Sequence, residues 1–170
     1  MRKFLMPDLV LPTYRDVTPE LCRSLGIRAV LSDIDNTLAP YEQPCSDEHI
    51  REWLRELKEA GVSVALISNN HADRVEPFNA DLGLVAYSDA GKPFGKFLRR
   101  AMAELGSDPS NTAMLGDQLL TDALAGNLLR LKVLIVPPIR DKRTAFVRFK
   151  RWLERPVIRR YYRKHGGGNA

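Results

Sequence analysis

The chain alternates short apolar runs with longer stretches in which apolar residues recur every three or four positions. The runs "IRAVLS" (27–32), "VSVALIS" (62–68), "LVAYS" (84–88), "TAMLG" (112–116) and "KVLIVP" (132–137) have the length and aliphatic content of buried strands. Between them, "DEHIREWLRELKEAG" (47–61) sets Ile50, Trp53, Leu54 and Leu57 on one helical face and stops at Gly61. "ADRVEPFNADLG" (72–83) is helical in pattern but interrupted by Pro77, and "FGKFLRRAMAELG" (94–106) and "LLTDALAGNLLR" (119–130) predict two more helices. Strands alternating with helices of this length predict a parallel sheet covered on both faces. The expected fold is therefore α/β, an open three-layer sandwich around a central parallel sheet.

In such a sheet, ligands bind at the carboxyl ends of the strands, near a topological switch. Asp33 and Asp35 follow the first run, Ser68, Asn69 and Asn70 the second, and Asp117 the fourth, while Lys92 lies in the loop after the third. The aspartate pair in "AVLSDIDNTLAP" (29–40) is the most demanding feature. Two carboxylates about 4 Å apart at an effective dielectric near 20 repel by roughly 4 kcal/mol. A bound cation, or a proton held on one of the pair, would offset that. A helix-capping turn is the plain alternative, since Asp and Asn favour such positions. Two acids, a hydroxyl, an ammonium and a further acid converging on four strand ends weigh against capping.

The 170 residues suit one globular domain with a sizeable core. No apolar run approaches the roughly 18 residues needed to cross a bilayer. Asp8 interrupts the apolar start, so no secretory leader is expected. Cys22 and Cys45 have no metal-ligand spacing and suggest no disulfide framework, which favours a cytoplasmic setting. Charge changes the picture more. From Arg140 onward there are 11 Lys/Arg and 2 Asp/Glu, a net of +9; the whole chain carries +5, so residues 1–139 carry −4 by difference. A basic tail on an acidic body points to a polyanion or an anionic membrane surface, or is simply a solvated tail. Within it, "RTAFVRFKRWLERPVIRRYYRKH" (143–165) reads as a basic amphipathic helix with an apolar stripe at Phe146, Phe149, Leu153, Val157 and Tyr161. Trp152, Tyr161 and Tyr162 suit a headgroup interface, Pro156 should kink or split the helix, and the stripe could instead pack on the sheet. The expected organisation is a domain over 1–139 with an N-terminal extension, the basic segment at 140–165, and a disordered tail at 166–170.

"DIDNT" (33–37), "ISN" (67–69), "GKP" (91–93) and "GDQLLTD" (116–122) stand in the order of the four motifs of the haloacid-dehalogenase superfamily of phosphatases, which residues 27–137 resemble. The resemblance implies a Rossmann-like fold and a magnesium-dependent phosphomonoester hydrolase working through an aspartyl-phosphate. By motif position, Asp33 would be nucleophile and metal ligand. Asp35 would give the metal its backbone carbonyl, and its side chain would protonate the leaving oxygen and then activate water. Ser68 and Asn69 would bind the phosphoryl group, Lys92 would neutralise it and hold the nucleophile, and Asp117 would complete the metal site. Thr37 would brace the loop, and Asp122 would lie outside the metal's ligands or pair with Lys92. Lys96 rivals Lys92. Ser68 and Asp117 could each cap a helix, and His49 and His71 read as surface or capping residues, although His71 lies near enough to Ser68 to touch substrate.

Only "LAPYEQPCS" separates Thr37 from the helix near Asp47, and residues 68–92 hold one helix and one strand, so neither gap fits a cap domain. An open site suits a phosphate on something large or surface-borne. The stretch "FLMPDLVLPTYRDVTPELCRSLGIRAVLSDIDNTLAPY", with "SNN" and "GDQLLTD", resembles the YqeG-type branch, a capless group related to the phosphatidylglycerophosphate phosphatases of mitochondria and plastids. Three functions remain open. One is a phosphatidylglycerophosphate phosphatase at the inner membrane face, held there by 143–165. The second is the same chemistry on a soluble, protein or RNA-associated phosphate. The third is a non-catalytic module using its basic tail on nucleic acid, for which no RNA-binding motif is present.

Overall fold

The structure, a computed structural model, describes residues 2–140 and 156–163. Six parallel strands form one sheet: β1 (Leu9–Val10), β2 (Ala29–Ser32), β3 (Ser63–Ile67), β4 (Val85–Tyr87), β5 (Thr112–Gly116) and β6 (Lys132–Ile135). Their order is β1-β6-β5-β2-β3-β4. The connection leaving β2 runs to β3 on one side, and that leaving β5 runs to β6 on the other. The switch point is therefore the crevice between β2 and β5.

Alternation along the strands divides the core. Val30, Val64, Leu66, Ala113, Leu115 and Leu134 face helices α1 (Pro19–Leu25), α2 (Glu48–Glu59) and α3 (Ala72–Asn79). Leu31, Ala65, Ile67 and Met114 face α4 (Lys96–Glu104) and α5 (Leu124–Leu128). This period of two, with both faces covered, is why the central strands read as continuous apolar runs. Helix α2 follows its pattern: Asp47 Oδ1 accepts from Ile50 N (2.9 Å) as N-cap, Ile50, Trp53 and Leu57 are buried, and Gly61 takes a left-handed φ of 77° to end it. The Trp53 indole donates to Val17 O (3.0 Å), tying α2 to the N-terminal region.

Some elements depart from the sequence pattern. Strand β1 and helix α1 were not expected. β1 pairs with β6 over two residues, and Asp8 Oδ2 accepts from Val133 N (2.7 Å) to extend that edge. α1 opens with Thr18 as N-cap and Pro19 in its first turn. The helix expected at 119–130 starts as a π-helical turn over Leu119–Ala123 before continuing as α5. Residues 156–163 are helical, and the expected kink or split at Pro156 falls at the boundary with residues outside those described. Val157 and Tyr161 of that helix are buried with Leu5, Leu119, Val133 and Ile135 nearby, and the Tyr161 hydroxyl accepts from Val10 N (3.1 Å). Of the two readings of the stripe, packing on the sheet holds at Val157 and Tyr161, and a headgroup position for Tyr161 does not. The rest of the predicted basic helix, including Phe146, Phe149, Trp152 and Leu153, and the tail at 166–170 lie outside the described residues. Among the described residues there is no cap domain, and no helix is long and apolar enough to cross a membrane.

Candidate active site

Asp33 is the first residue beyond β2, and its N–H donates to Leu115 O (2.9 Å), so the β2–β5 ladder fixes its backbone. Asn36 then turns the chain with a left-handed φ of 63°, a conformation that Asn tolerates better than most residues. The turn brings Thr37 back over Asp33, and its hydroxyl donates to Asp33 Oδ2 (3.3 Å). The other oxygen, Oδ1, lies 2.7 Å from Lys92 Nζ, which reaches it from the loop after β4. Lys92 Nζ also meets Asp122 Oδ1 at 2.8 Å, and both side chains are fully sequestered. Between the two candidate lysines, the site takes Lys92. Lys96 lies on α4 with its ammonium over the Phe97 ring.

Carboxylate oxygens of Asp33, Asp117 and Asp122 all lie within 4.8 Å of one another. Asp122 reaches this cluster because the π-helical turn folds it back, its Oδ2 accepting from Gln118 N (3.1 Å). Gly116 makes room for that: an added Cβ would overlap Asp122 Cβ and Cγ. Three carboxylates and one ammonium in so small a space form a set of hard oxygen donors with residual negative charge, which fits a divalent cation. Burial drives the Asp33 carboxyl up to about 6, against the pull of Lys92. For Lys92, burial alone would lower the pKa, but Asp122 and Asp33 outweigh it and hold the ammonium above its ordinary range.

A second cluster stands beside the first. Asp35 Oδ1 accepts from Arg74 Nε (2.9 Å) and Oδ2 from Asn70 Nδ2 (2.9 Å). Arg74 also donates to Pro44 O (3.3 Å), and its guanidinium lies over the Phe78 ring, 5.1 Å from the centroid. Arg74 and Asn70 thus hold the Asp35 carboxylate, which is not one of the three that cluster. Sequence reasoning missed Arg74. Its signal was a charged residue on the apolar face of α3, next to Val75 and one turn before Phe78.

Ser68 is buried at the end of β3, and its Oγ accepts from Asn70 N (3.0 Å); the N-cap position of α3 belongs to His71. Asn69, expected at the phosphoryl group, uses both ends of its amide on Lys92, accepting from Lys92 N (2.7 Å) and donating to Lys92 O (3.1 Å). His71 is exposed and pairs with Asp89 (2.6 Å), and His49 lies on the surface of α2.

A parallel α/β sheet with a carboxylate cluster and a buried lysine at its switch point is the arrangement of a phosphate-handling hydrolase. The chain belongs to the haloacid dehalogenase-like hydrolases, whose family model matches residues 22–129. It is 33% identical to the Bacillus subtilis protein named "Probable phosphatase YqeG" over 164 residues, covering 96% of this chain and 95% of that one. It is 29% identical over 175 residues to the "Phosphatidylglycerophosphate phosphatase 1, chloroplastic/mitochondrial" of Arabidopsis thaliana, covering 96% of this chain but only 50% of that one. The crystal structure of CbbY from Rhodobacter sphaeroides in complex with phosphate shares the fold, with a TM-score of 0.51 at 16% identity over 71% of this chain and 90% of that one. The protein is a phosphatase of this family.

Proposed function

We propose that the protein hydrolyses a phosphomonoester through an aspartyl-phosphate on Asp33, with magnesium, and that its substrate is phosphatidylglycerophosphate at a membrane surface. The observation that carries the chemistry is the Asp33–Lys92–Asp122 arrangement with Asp117 beside it. Asp33, Asp117 and the backbone carbonyl of Asp35 would hold the cation, with Asp122 anchoring Lys92. When bound, the cation supplies positive charge to the phosphoryl oxygens and so offsets their repulsion of the attacking carboxylate.

The remaining steps belong to side chains. Lys92 and Thr37 aim the Asp33 carboxylate, and Asn69 aims Lys92 by gripping its backbone. The Ser68 hydroxyl, whose oxygen accepts from Asn70, keeps its hydrogen for a phosphoryl oxygen. Asp33 attacks phosphorus, the ester oxygen leaves with a proton from Asp35, and Asp35 then takes a proton from the water that cleaves the acyl phosphate. In the resting site Asp35 accepts at both oxygens and pairs with Arg74, so before the leaving oxygen departs one of these contacts must be given up and the carboxylate must take up a proton from solvent. Arg74 and Asn70 set the position from which that exchange starts.

The lipid substrate is supported by the similarity to the Arabidopsis enzyme and by the absence of a cap among the described residues. Residues 1–139 are the catalytic domain in this reading, with the segment from Arg140 added to it. The test is phosphate release from phosphatidylglycerophosphate in anionic vesicles, with magnesium or chelator, comparing wild type with Asp33→Asn. Magnesium-dependent release that the variant loses supports both chemistry and substrate. Release only from a simple aryl phosphate keeps the chemistry and discards the lipid.

A further inference from the structure

Five large hydrophobic residues among those described are well exposed. Two of them, Phe4 and Leu128, sit where the first turn meets α5, joined by Asn127 Nδ2 donating to Phe4 O (2.8 Å). The other three lie on loops that carry the site residues or bond to them. Phe94, 78% exposed, stands two residues from Lys92 on a turn closed by its own N–H to Gly91 O (2.9 Å). Ile139, 45% exposed, donates its N–H to Asn36 O (3.0 Å), within the turn that follows Asp33 and Asp35. Tyr41, 43% exposed, lies just past Ala39, the residue that bridges to Asp35. Glu42 and Arg140 meet at 3.9 Å and join the Tyr41 and Ile139 loops.

Backbone bonds fix Phe94 and Ile139, and none of the three side chains belongs to the core clusters. Their common place on the loops of the site marks a contact surface. Charge identifies what it contacts. The chain that leaves this rim at Arg140, where the Arg140 N–H donates to Asn36 Oδ1 (3.2 Å), carries 11 Lys/Arg against 2 Asp/Glu from there on. Apolar and aromatic side chains on a chain that continues into a strongly basic segment are what an anionic bilayer binds: the former enter the headgroup region, the latter holds the anionic heads.

We propose that Phe94, Ile139 and Tyr41 form a rim that inserts into an anionic bilayer and seats the opening of the site over a lipid-borne phosphate. The inference rests on the lipid reading above but is tested separately from it. Vesicles of phosphatidylethanolamine and phosphatidylglycerol, with and without phosphatidylglycerophosphate, are mixed with the full chain, and two quantities are read: flotation with the vesicles, and phosphate release. Wild type is compared with Phe94→Ser, Ile139→Ser and the double variant. Each single change should lower the vesicle-bound fraction at limiting lipid, and turnover of the vesicle substrate, by about tenfold. Hydrolysis of a soluble aryl phosphate should stay within about twofold, because neither residue touches the carboxylate cluster. If wild type floats in a Phe94-dependent way but releases no phosphate from the lipid, the substrate reading fails and the rim stands. If wild type fails to float, or the double variant floats and turns over the lipid as wild type does, the rim is refuted. Loss of aryl phosphatase activity in the variants, matching the loss on vesicles, would also refute it by reducing the effect to a damaged site.

Discussion

At the amino end of β5, Thr112 is buried, and its hydroxyl donates to Asp108 O (2.7 Å), closing a local turn. At the carboxyl end of the neighbouring strand, Asp33 is also buried, but against an ammonium and within reach of two further carboxylates. Among the described residues, the buried charged side chains are Asp33, Arg74, Lys92 and Asp122, and all four lie at the carboxyl end. Taking an ion out of water costs several kcal/mol even after the surroundings relax. A fold selected only for stability would use bonds of the Thr112 kind at both ends. The concentration of buried charge at one end marks where the protein gives up stability for chemistry.

The contrast can be broken most sharply at Gly116. Gly116→Ala should push Asp122 out of its place against Lys92 and lower kcat by about 10²-fold, with overpacking costing about 1–3 kcal/mol of stability. A steady-state assay paired with thermal unfolding checks both. The raised pKa of Asp33 predicts a smaller, graded effect. A proton and a divalent cation compete for the same carboxylate. Above about 6 the carboxylate is free to bind; as pH falls below that value, the magnesium concentration for half-maximal activity should rise by up to about tenfold per pH unit. Titrating activity with magnesium across pH 5 to 8, values chosen to bracket roughly the ionisation, reads this directly.

Arg74→Met tests the second cluster. With Asp35 no longer held by the guanidinium, turnover of an alkyl phosphate, whose leaving oxygen needs a proton, should fall by about tenfold or more. An aryl phosphate with an acidic leaving group should be less affected, and Arg74→Lys should recover part of the loss. A purely structural role for Arg74 would slow both substrates equally. Least of all should happen at the other end of the sheet. Thr112→Val should cost about 1 kcal/mol in chemical denaturation and leave kcat and KM unchanged.

Much of this fold was legible because its signals are local. β2, β3 and β5 are aliphatic runs buried on both faces, and α2 carries its stripe, its Asp47 cap and its Gly61 stop within fifteen consecutive residues. β1 was invisible because a two-residue strand has no period, and the groups that hold it, β6 and the Tyr161 hydroxyl, come from distant parts of the chain. α1 did have a signal, Thr18-Pro19-Glu20, a capping residue followed by proline and an acid. Within the site, motif order brought out Asp33, Lys92 and Asp117. The partner choices needed three dimensions, since Lys92 meets Asp33 across 59 residues and Arg74 meets Asp35 across 39. The motif resemblance offered Asp122 as a partner for Lys92, but an ordinary α-helix over 119–130 gives no reason for it to reach that far. The π-helical turn and the bare Gly116 supply that reason.

The central claim is that Asp33 accepts the phosphoryl group. The most direct measurement is a single turnover of a phosphate ester with magnesium, quenched in acid, reduced with borohydride to convert an acyl phosphate to the alcohol, and mapped by peptide mass spectrometry. The account predicts modification at Asp33 alone, dependent on magnesium and absent in Asp33→Asn. Modification at another residue, or turnover by Asp33→Asn at the wild-type rate, would contradict it.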